Sequence, residues 1–178
     1  MELELLPFSH DLLKQEPKTF SFEDDNAKEI CDKLLARMEE LGGIGLSANQ
    51  VGLDYRIFVF SVGEELSRSI INPTIISFGD EVISMKEGCL SLPGVFLMVR
   101  RPTEVTLQYF DTDGNAVVEQ FKDLAARVVL HEYDHMIGQN FTQRVSKLKL
   151  DRAIKAMRKK VIKKVRADVR QQLETTNV

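Results

Sequence analysis

Apolar side chains recur every three or four residues through DDNAKEICDKLLARMEELGG, at Ala27, Ile30, Cys31, Leu34, Leu35, Met38 and Leu41. That period gathers them on one stripe of an amphipathic helix, with Asp24 or Asp25 as its cap and Gly42 as its stop. Cys31 lies on the stripe and reads as a small buried hydrophobe. Further on, YRIFVFSV, TIISF, EVISM, EVTLQYF and AVVEQF are short and rich in β-branched and aromatic residues, with several alternating and turn signals between them. They predict antiparallel strands, the last two joined by the hairpin turn DTDGN. Helical spacing returns after Asp123, which is expected to cap a helix carrying Leu124, Val128, Leu130 and Met136 and ending at Gly138. A second long helix is expected from about Leu148, its stripe of Leu150, Ile154, Met157, Val161, Val165 and Val169 able to pack on the body. Strands lying between helices without β-α alternation indicate an α+β fold. The expected architecture is antiparallel sheets packed around the 123–138 helix, with an N-terminal helix and a C-terminal basic amphipathic helix over 147–173. No repeat, low-complexity tract or linker divides residues 1–178, which read as a single domain.

Composition narrows the classes. At 178 residues the chain can bury a core without disulfide or metal staples, so a metal here would be catalytic rather than structural. With a net charge of −3 and 43% hydrophobic residues it is no general nucleic-acid binder, and DNA is not an expected partner. No run reaches membrane-spanning length, so no membrane is implied, and the acidic N-terminus MELELLPFSHDLL does not read as a targeting peptide. Cys31 and Cys89 are the only cysteines, which suits a reducing, cytoplasmic location. Charge is uneven: between residues 147 and 170 eleven Lys and Arg oppose only Asp151 and Asp168, a local balance of +9 that leaves −12 for the rest.

The chemistry concentrates in VVLHEYDHMIG, residues 128 to 138. Its H-E-x-x-H pattern puts His131 and His135 four residues apart on one helix face, where both imidazoles can reach one ion. Glu132 sits beside them, off the ligand direction, as a general base toward a metal-bound water requires. A helix that merely carries two histidines is the plainer reading, but these are two of only three histidines in the chain and lie in an apolar window. His10 reads as a surface residue. A third ligand must come from elsewhere: downstream the carboxylates begin at Asp151, while upstream KEGCLSLPG places Cys89 between two glycine-containing turns. A His₂Cys set with an open position suggests zinc. GGIGLSANQVG is either a linker or a close-approach loop, and a phosphate-binding reading is weak without a following Lys-Ser or Lys-Thr.

Three segments carry a resemblance. GIGLSANQ (43 to 50), EGCLSLP (87 to 93) and HEYDHMIG (131 to 138) look like the three signature motifs of peptide deformylases, in order and with similar spacing. Departures are Ser47 for alanine, Leu130 for the glutamine before the first histidine, and Met136 for leucine. The resemblance implies a hydrolase that removes the formyl group from the N-terminal formylmethionine of nascent polypeptides. Cys89, His131 and His135 would bind one divalent ion, Fe2+ by resemblance, with Zn2+, Ni2+ or Co2+ able to substitute. Glu132 would be the base, and Gln50 and the Leu90 N–H would stabilise the oxyanion. Ile44, Gly45, Glu87, Gly88, Leu124 and Val128 would line the substrate site, and Arg101 would pair with Glu87 to hold the Cys89 loop. A basic C-terminal helix suits contact with the ribosome. Two competing readings stay open at this stage: a zincin-type peptidase using Asp151, and a binding module that has kept the motifs.

Overall fold

The structure is a computed structural model and describes residues 3–23 and 25–176. Its elements run α1 (Ala27–Glu40), β1 (Gly45–Ser47), a 3-10 turn (Ala48–Val51), β2 (Ile57–Val62), β3 (Leu66–Phe78), β4 (Val82–Cys89) and β5 (Leu92–Pro102). Then come β6 (Glu104–Phe110), β7 (Ala116–Lys122), α2 (Asp123–Met136), a 3-10 turn (Phe141–Arg144) and α3 (Lys147–Thr176). Five strands form an antiparallel sheet in the order β1-β2-β3-β6-β7, and β4 and β5 form a separate two-stranded ribbon. The architecture is α+β.

Helix α1 buries Ala27, Cys31, Leu34 and Met38 against Leu46, Ile57, Val59 and Ile71, the face that the sequence periodicity assigns to the core. Its cap differs from expectation. Asn26 stands closer to the free N–H groups, and its side chain accepts from the Glu29 N–H at 3.0 Å. Asp25 is instead engaged by the Tyr55 hydroxyl, and Asp24 lies outside the described residues.

Helix α2 is the centre of the molecule, with every residue from Ala125 to Met136 except Tyr133 buried. Val128, Val129, Leu130 and Met136 pack with Phe58, Phe60, Leu107 and Phe121 of the sheet. Asp123 does not cap it. Lys122 occupies that place and makes no side-chain cap bond, while Asp123 is the first helical residue, at φ +51°. The Asp123 N–H is taken by the Thr103 carbonyl at 2.7 Å, which fixes the chain's entry from β7 without a cap.

Two strand assignments are corrected. β3 begins at Leu66, well before TIISF, because Asn72 carries the strand past Pro73: at φ +49° it shifts the register with β6, and its side chain bonds both the N–H and the carbonyl of Phe20. β4 runs through Gly88 to Cys89, which pairs with Leu92 across the two-residue turn Leu90–Ser91. Cys89 therefore stands at a strand end, not between glycine turns. β5 escaped the pattern reading because Pro93 and Gly94 look like turn signals and Arg100 and Arg101 like a polar end. Its inward residues Val95, Leu97, Val99 and Arg101 do alternate.

The stripe of α3 divides in two. Leu150, Ile154 and Met157 pack with Ala153 on Val95, Leu97 and Val99 of the ribbon, as expected. Val161, Val165 and Val169 are 52, 53 and 48% exposed, contrary to the expectation that the whole stripe packs. A helix of this length spans about 45 Å, and only its first turns meet the ribbon. Among the described residues no helix is long and apolar enough to cross a membrane.

Gly42 and Gly138 follow α1 and α2 with φ +66° each, but their surroundings differ. A Cβ at Gly42 meets open space, whereas at Gly138 it lies 2.8 Å from the Gln15 carbonyl carbon. Gly42→Ala should cost about 1–2 kcal/mol, the left-handed backbone term alone, and Gly138→Ala clearly more. Urea denaturation of the two variants measures the difference.

Candidate metal centre

The sulfur and ring nitrogens of Cys89, His131 and His135 lie within 4.8 Å of one another, and all three residues are buried. The strand end of β4 supplies the thiol and one face of α2 supplies both imidazoles. Cys89 Sγ is 3.6 Å from His135 Nε2. Asp151 is exposed on α3 and lies outside this cluster, so the downstream carboxylate is not the third member. His10 is exposed and caps a 3-10 turn, as a surface residue does. One thiol with two imidazoles is a soft-to-borderline donor set that fits a transition ion better than calcium or magnesium.

Each member is held by a neighbour. Glu87 Oε2 accepts from His131 Nδ1 at 3.0 Å, and a carboxylate there obliges that nitrogen to donate, leaving Nε2 for the cluster. Burial lowers His135 to about 3, so its ring is neutral and its lone pair available. Gln50 Nε2 donates to Cys89 Sγ at 3.3 Å and to Ser91 Oγ at 3.2 Å. The amide orientation follows from its other end: Gln50 Oε1 accepts from the Ser47 N–H at 3.0 Å, so the nitrogen must face the thiol. The Ser47 hydroxyl lies 2.9 Å from the same oxygen, a contact that the alanine of the resembling motif could not make. Asn49 Nδ2 donates to the His135 carbonyl at 3.0 Å and ties the glycine-rich segment to α2.

Glu87 carries the densest network. Arg101 is bidentate on it, Nε to Oε1 at 2.7 Å and Nη2 to Oε2 at 2.9 Å, and Arg127 Nη1 donates to Oε1 at 2.9 Å. Burial would raise this carboxyl, but hydrogen bonds from His131, Arg101 and Arg127 hold it well below the usual carboxylate range. The Glu87–Arg101 pair is the one the motifs suggested. Arg127 and Asp134, which also pairs with Arg101 at 2.9 Å and with Arg144, were not singled out from sequence. Their signal was present: charged residues in an apolar window must be paired when buried.

Glu132 is 4% exposed, so the pattern H-E-x-x-H does not leave a solvated acidic edge here. Burial raises its carboxyl to about 7, against the pull of His131 and Arg101, and its Oε2 has no hydrogen-bond partner among the described residues. A Cβ on Gly45 would lie 2.5 Å from Glu132 Oε1, so only glycine leaves room for this carboxylate. A cleft of about 430 Å³ opens onto the centre, lined by Ile44, Gly45, Gln50, Glu87, Gly88, Cys89, Leu90, Leu124, Val128, His131 and Glu132 among others. Arg101 is not in the cleft wall; it lies behind Glu87.

The family model for polypeptide deformylase matches residues 2–151. The chain belongs to this family. It is 37% identical over 161 residues to a peptide deformylase of Chromohalobacter salexigens, across 89% of this chain and 95% of that one. A peptide deformylase from Synechococcus elongatus, solved in complex with actinonin, superposes with a TM-score of 0.82 at 33% identity and 86% coverage of both chains. One from Ehrlichia chaffeensis gives 0.82 at 31% identity over 93% of this chain and 99% of that one. The chain is thus a metal-dependent deformylase, a hydrolase releasing formate from the N-terminal formylmethionine of polypeptides.

The Glu87 network yields a stability test. Glu87→Gln keeps the shape but strips the buried Arg101 and Arg127 of a shared counter-charge. It should destabilise the fold by about 3–5 kcal/mol, as breaking a buried ion pair does, read from the urea midpoint.

Proposed function

We propose that Cys89, His131 and His135 hold the ion, that Glu132 is the proton carrier, and that Gln50 and the Leu90 N–H bind the developing oxyanion. The observation that carries this reading is the convergence of the three donor atoms within 4.8 Å, beside a buried carboxylate whose Oε2 has no hydrogen-bond partner among the described residues. Bound there, a divalent ion supplies Lewis acidity and makes a water acidic near neutral pH. Glu132 takes the proton of the attacking water at its carboxylate and returns it to the amine nitrogen that leaves. Its unpartnered oxygen is what keeps it free for both transfers. Gln50 gives the formyl oxygen the N–H now directed at Ser91, while its other N–H stays on the Cys89 thiolate. Leu90, beside the ligand strand end, offers a backbone donor to the same oxygen. Ile44, Gly45, Gly88, Leu124 and Val128 line the cleft that takes the methionine side chain. Glu87 orients His131, and Arg101 supports it.

The family likeness supports Fe2+ as the native ion, and the donor set also accommodates Zn2+, Ni2+ or Co2+. Cys31 and Cys89 are free thiols, which supports a reducing, cytoplasmic location for a single catalytic domain over residues 1–178. Metal analysis of protein purified without oxygen, run beside formate release from formyl-Met-Ala-Ser, tests the reading. Full metal occupancy in Cys89→Ala would defeat the ligand assignment. Glu132→Gln should keep its metal and lose most turnover, and wild-type activity in that variant would remove Glu132 from the proton path. Gln50→Ala should lower kcat by roughly 10² to 10³ with little change in KM, the size of one oxyanion donor.

The distal half of α3 supports a second contact. Beyond Met157 it carries Arg158, Lys159, Lys160, Lys163, Lys164, Arg166 and Arg170 along a half-exposed apolar stripe. Such a helix suits the RNA phosphate of the ribosome, from which the substrate emerges. Because Met157 packs on the ribbon, the informative truncation removes 159 onward. It should leave activity on free formyl peptides and abolish co-sedimentation with ribosomes at low salt. Equal sedimentation of both forms would return α3 to a purely structural role.

A further inference from the structure

One wall of the cleft is the outer face of the β4–β5 ribbon, and the metal centre makes no use of its side chains. Along β4 and β5 the residues Glu87, Cys89, Val95, Leu97 and Val99 turn inward and are buried. Lys86 and Phe96 turn outward, and both line the cleft. Lys86 Nζ sits 4.6 Å from the centroid of the Phe96 ring, a cation on an aromatic face. The ring in turn occupies the space of a side chain that Gly88 lacks, since a Cβ there would lie 2.7 Å from Phe96 Cε1. The absence of a side chain next to Cys89 is thus what lets an aromatic ring lie across the ribbon beside the metal centre. Phe96 nevertheless stays 54% exposed, an apolar platform left open at the cleft.

The charges of the wall are unequal in availability. Among the described residues lining the cleft the cations are Lys86 and Arg127. Arg127 is committed to Glu87 and to the carbonyls of Val99 and Ile83. Lys86 is exposed and, among the described residues, makes no ion pair. The carboxylates of the lining are Glu87, enclosed by its own partners, and Glu132, buried beside the histidines. A peptide leaving the metal centre across the ribbon therefore meets an aromatic face and one available positive charge, and no available negative charge.

We propose that Lys86 and Phe96 read the substrate beyond its formylmethionine, favouring an acidic side chain over a basic one at a residue that follows the methionine. The stem of a glutamate or aspartate lies on the ring while its carboxylate meets the ammonium. A lysine or arginine there would place like charges together over the same ring. The inference rests on the deformylase reading of the cleft and adds a preference to it.

The test is kcat/KM on formyl-Met-Ala-Ser and on two matched pairs, formyl-Met-X-Ser and formyl-Met-Ala-X, with X glutamate or lysine. The glutamate peptide of at least one pair should be favoured by up to about fivefold, the range of an exposed ion pair. The preference should shrink in about 1 M salt, where screening acts over about 3 Å. Lys86→Glu should invert the ratio, and Phe96→Ala should reduce it. Each ratio is taken within one preparation, so loss of folded or metal-loaded enzyme cancels. Equal values for glutamate and lysine peptides in the wild type, or a ratio unmoved in Lys86→Glu, would overturn the proposal. Turnover of formyl-Met-Ala-Ser reports on the deformylase reading separately.

Discussion

A buried carboxylate must find counter-charge at once, and Glu87 draws its counter-charge from two elements that would otherwise be independent. Arg101 comes from the neighbouring strand of the ribbon, while Arg127 and His131 come from α2. Because the bonds from all three partners end on one side chain, the ribbon cannot slide along the helix without exposing an unpaired charge. The carboxylate stands two residues before Cys89 on the same strand, so locking it locks the thiol opposite the imidazoles. Arg101 extends the lock to the Leu130 carbonyl and to Asp134, one turn further along the same helix. Such a network contributes less to net stability than its bonds suggest, since desolvation offsets most of the attraction. What it contributes here is position: the tautomer of one histidine and the distance of the sulfur from both.

The ribbon is loaded on two faces. Its inner side chains rest on Phe141 and on the first turns of α3, while its outer side chains form part of the cleft. Met157 reaches Gly94, where an added Cβ would lie 3.1 Å from the methionine Cγ. The C-terminal helix is therefore two objects in one element. Its proximal part is a structural support for the strand that carries the thiol, and its distal part is a basic extension with a half-exposed stripe. Through Met157 the distal part is continuous with the ribbon that forms one wall of the cleft.

The donor cluster was partly legible in the sequence. The four-residue spacing of His131 and His135 demands one helix face, and an apolar window demands that they be used. Cys89 was selectable because no third histidine stood downstream, although its strand-end setting was not foreseen. Glycine read as punctuation hid β5, and proline hid the start of β3, because a local pattern cannot tell a turn from a strand that bulges. The stripe of α3 was real, yet its periodicity runs on unchanged from the buried residues into the exposed ones.

The sequence by itself determined what depends on neighbours along the chain: helix faces, strand alternation, the glycine stops of α1 and α2, and which residues have metal-binding chemistry. Only the tertiary structure decided which surfaces meet. It brought Cys89, and not Asp151, beside the two histidines, gave Glu87 its three partners, placed Lys86 over Phe96 at the cleft, and ended the packing of α3 at Met157. The physical reason is that spacing along a chain specifies direction within one element. Burial, charge pairing and the room left by an absent side chain are properties of two elements brought together.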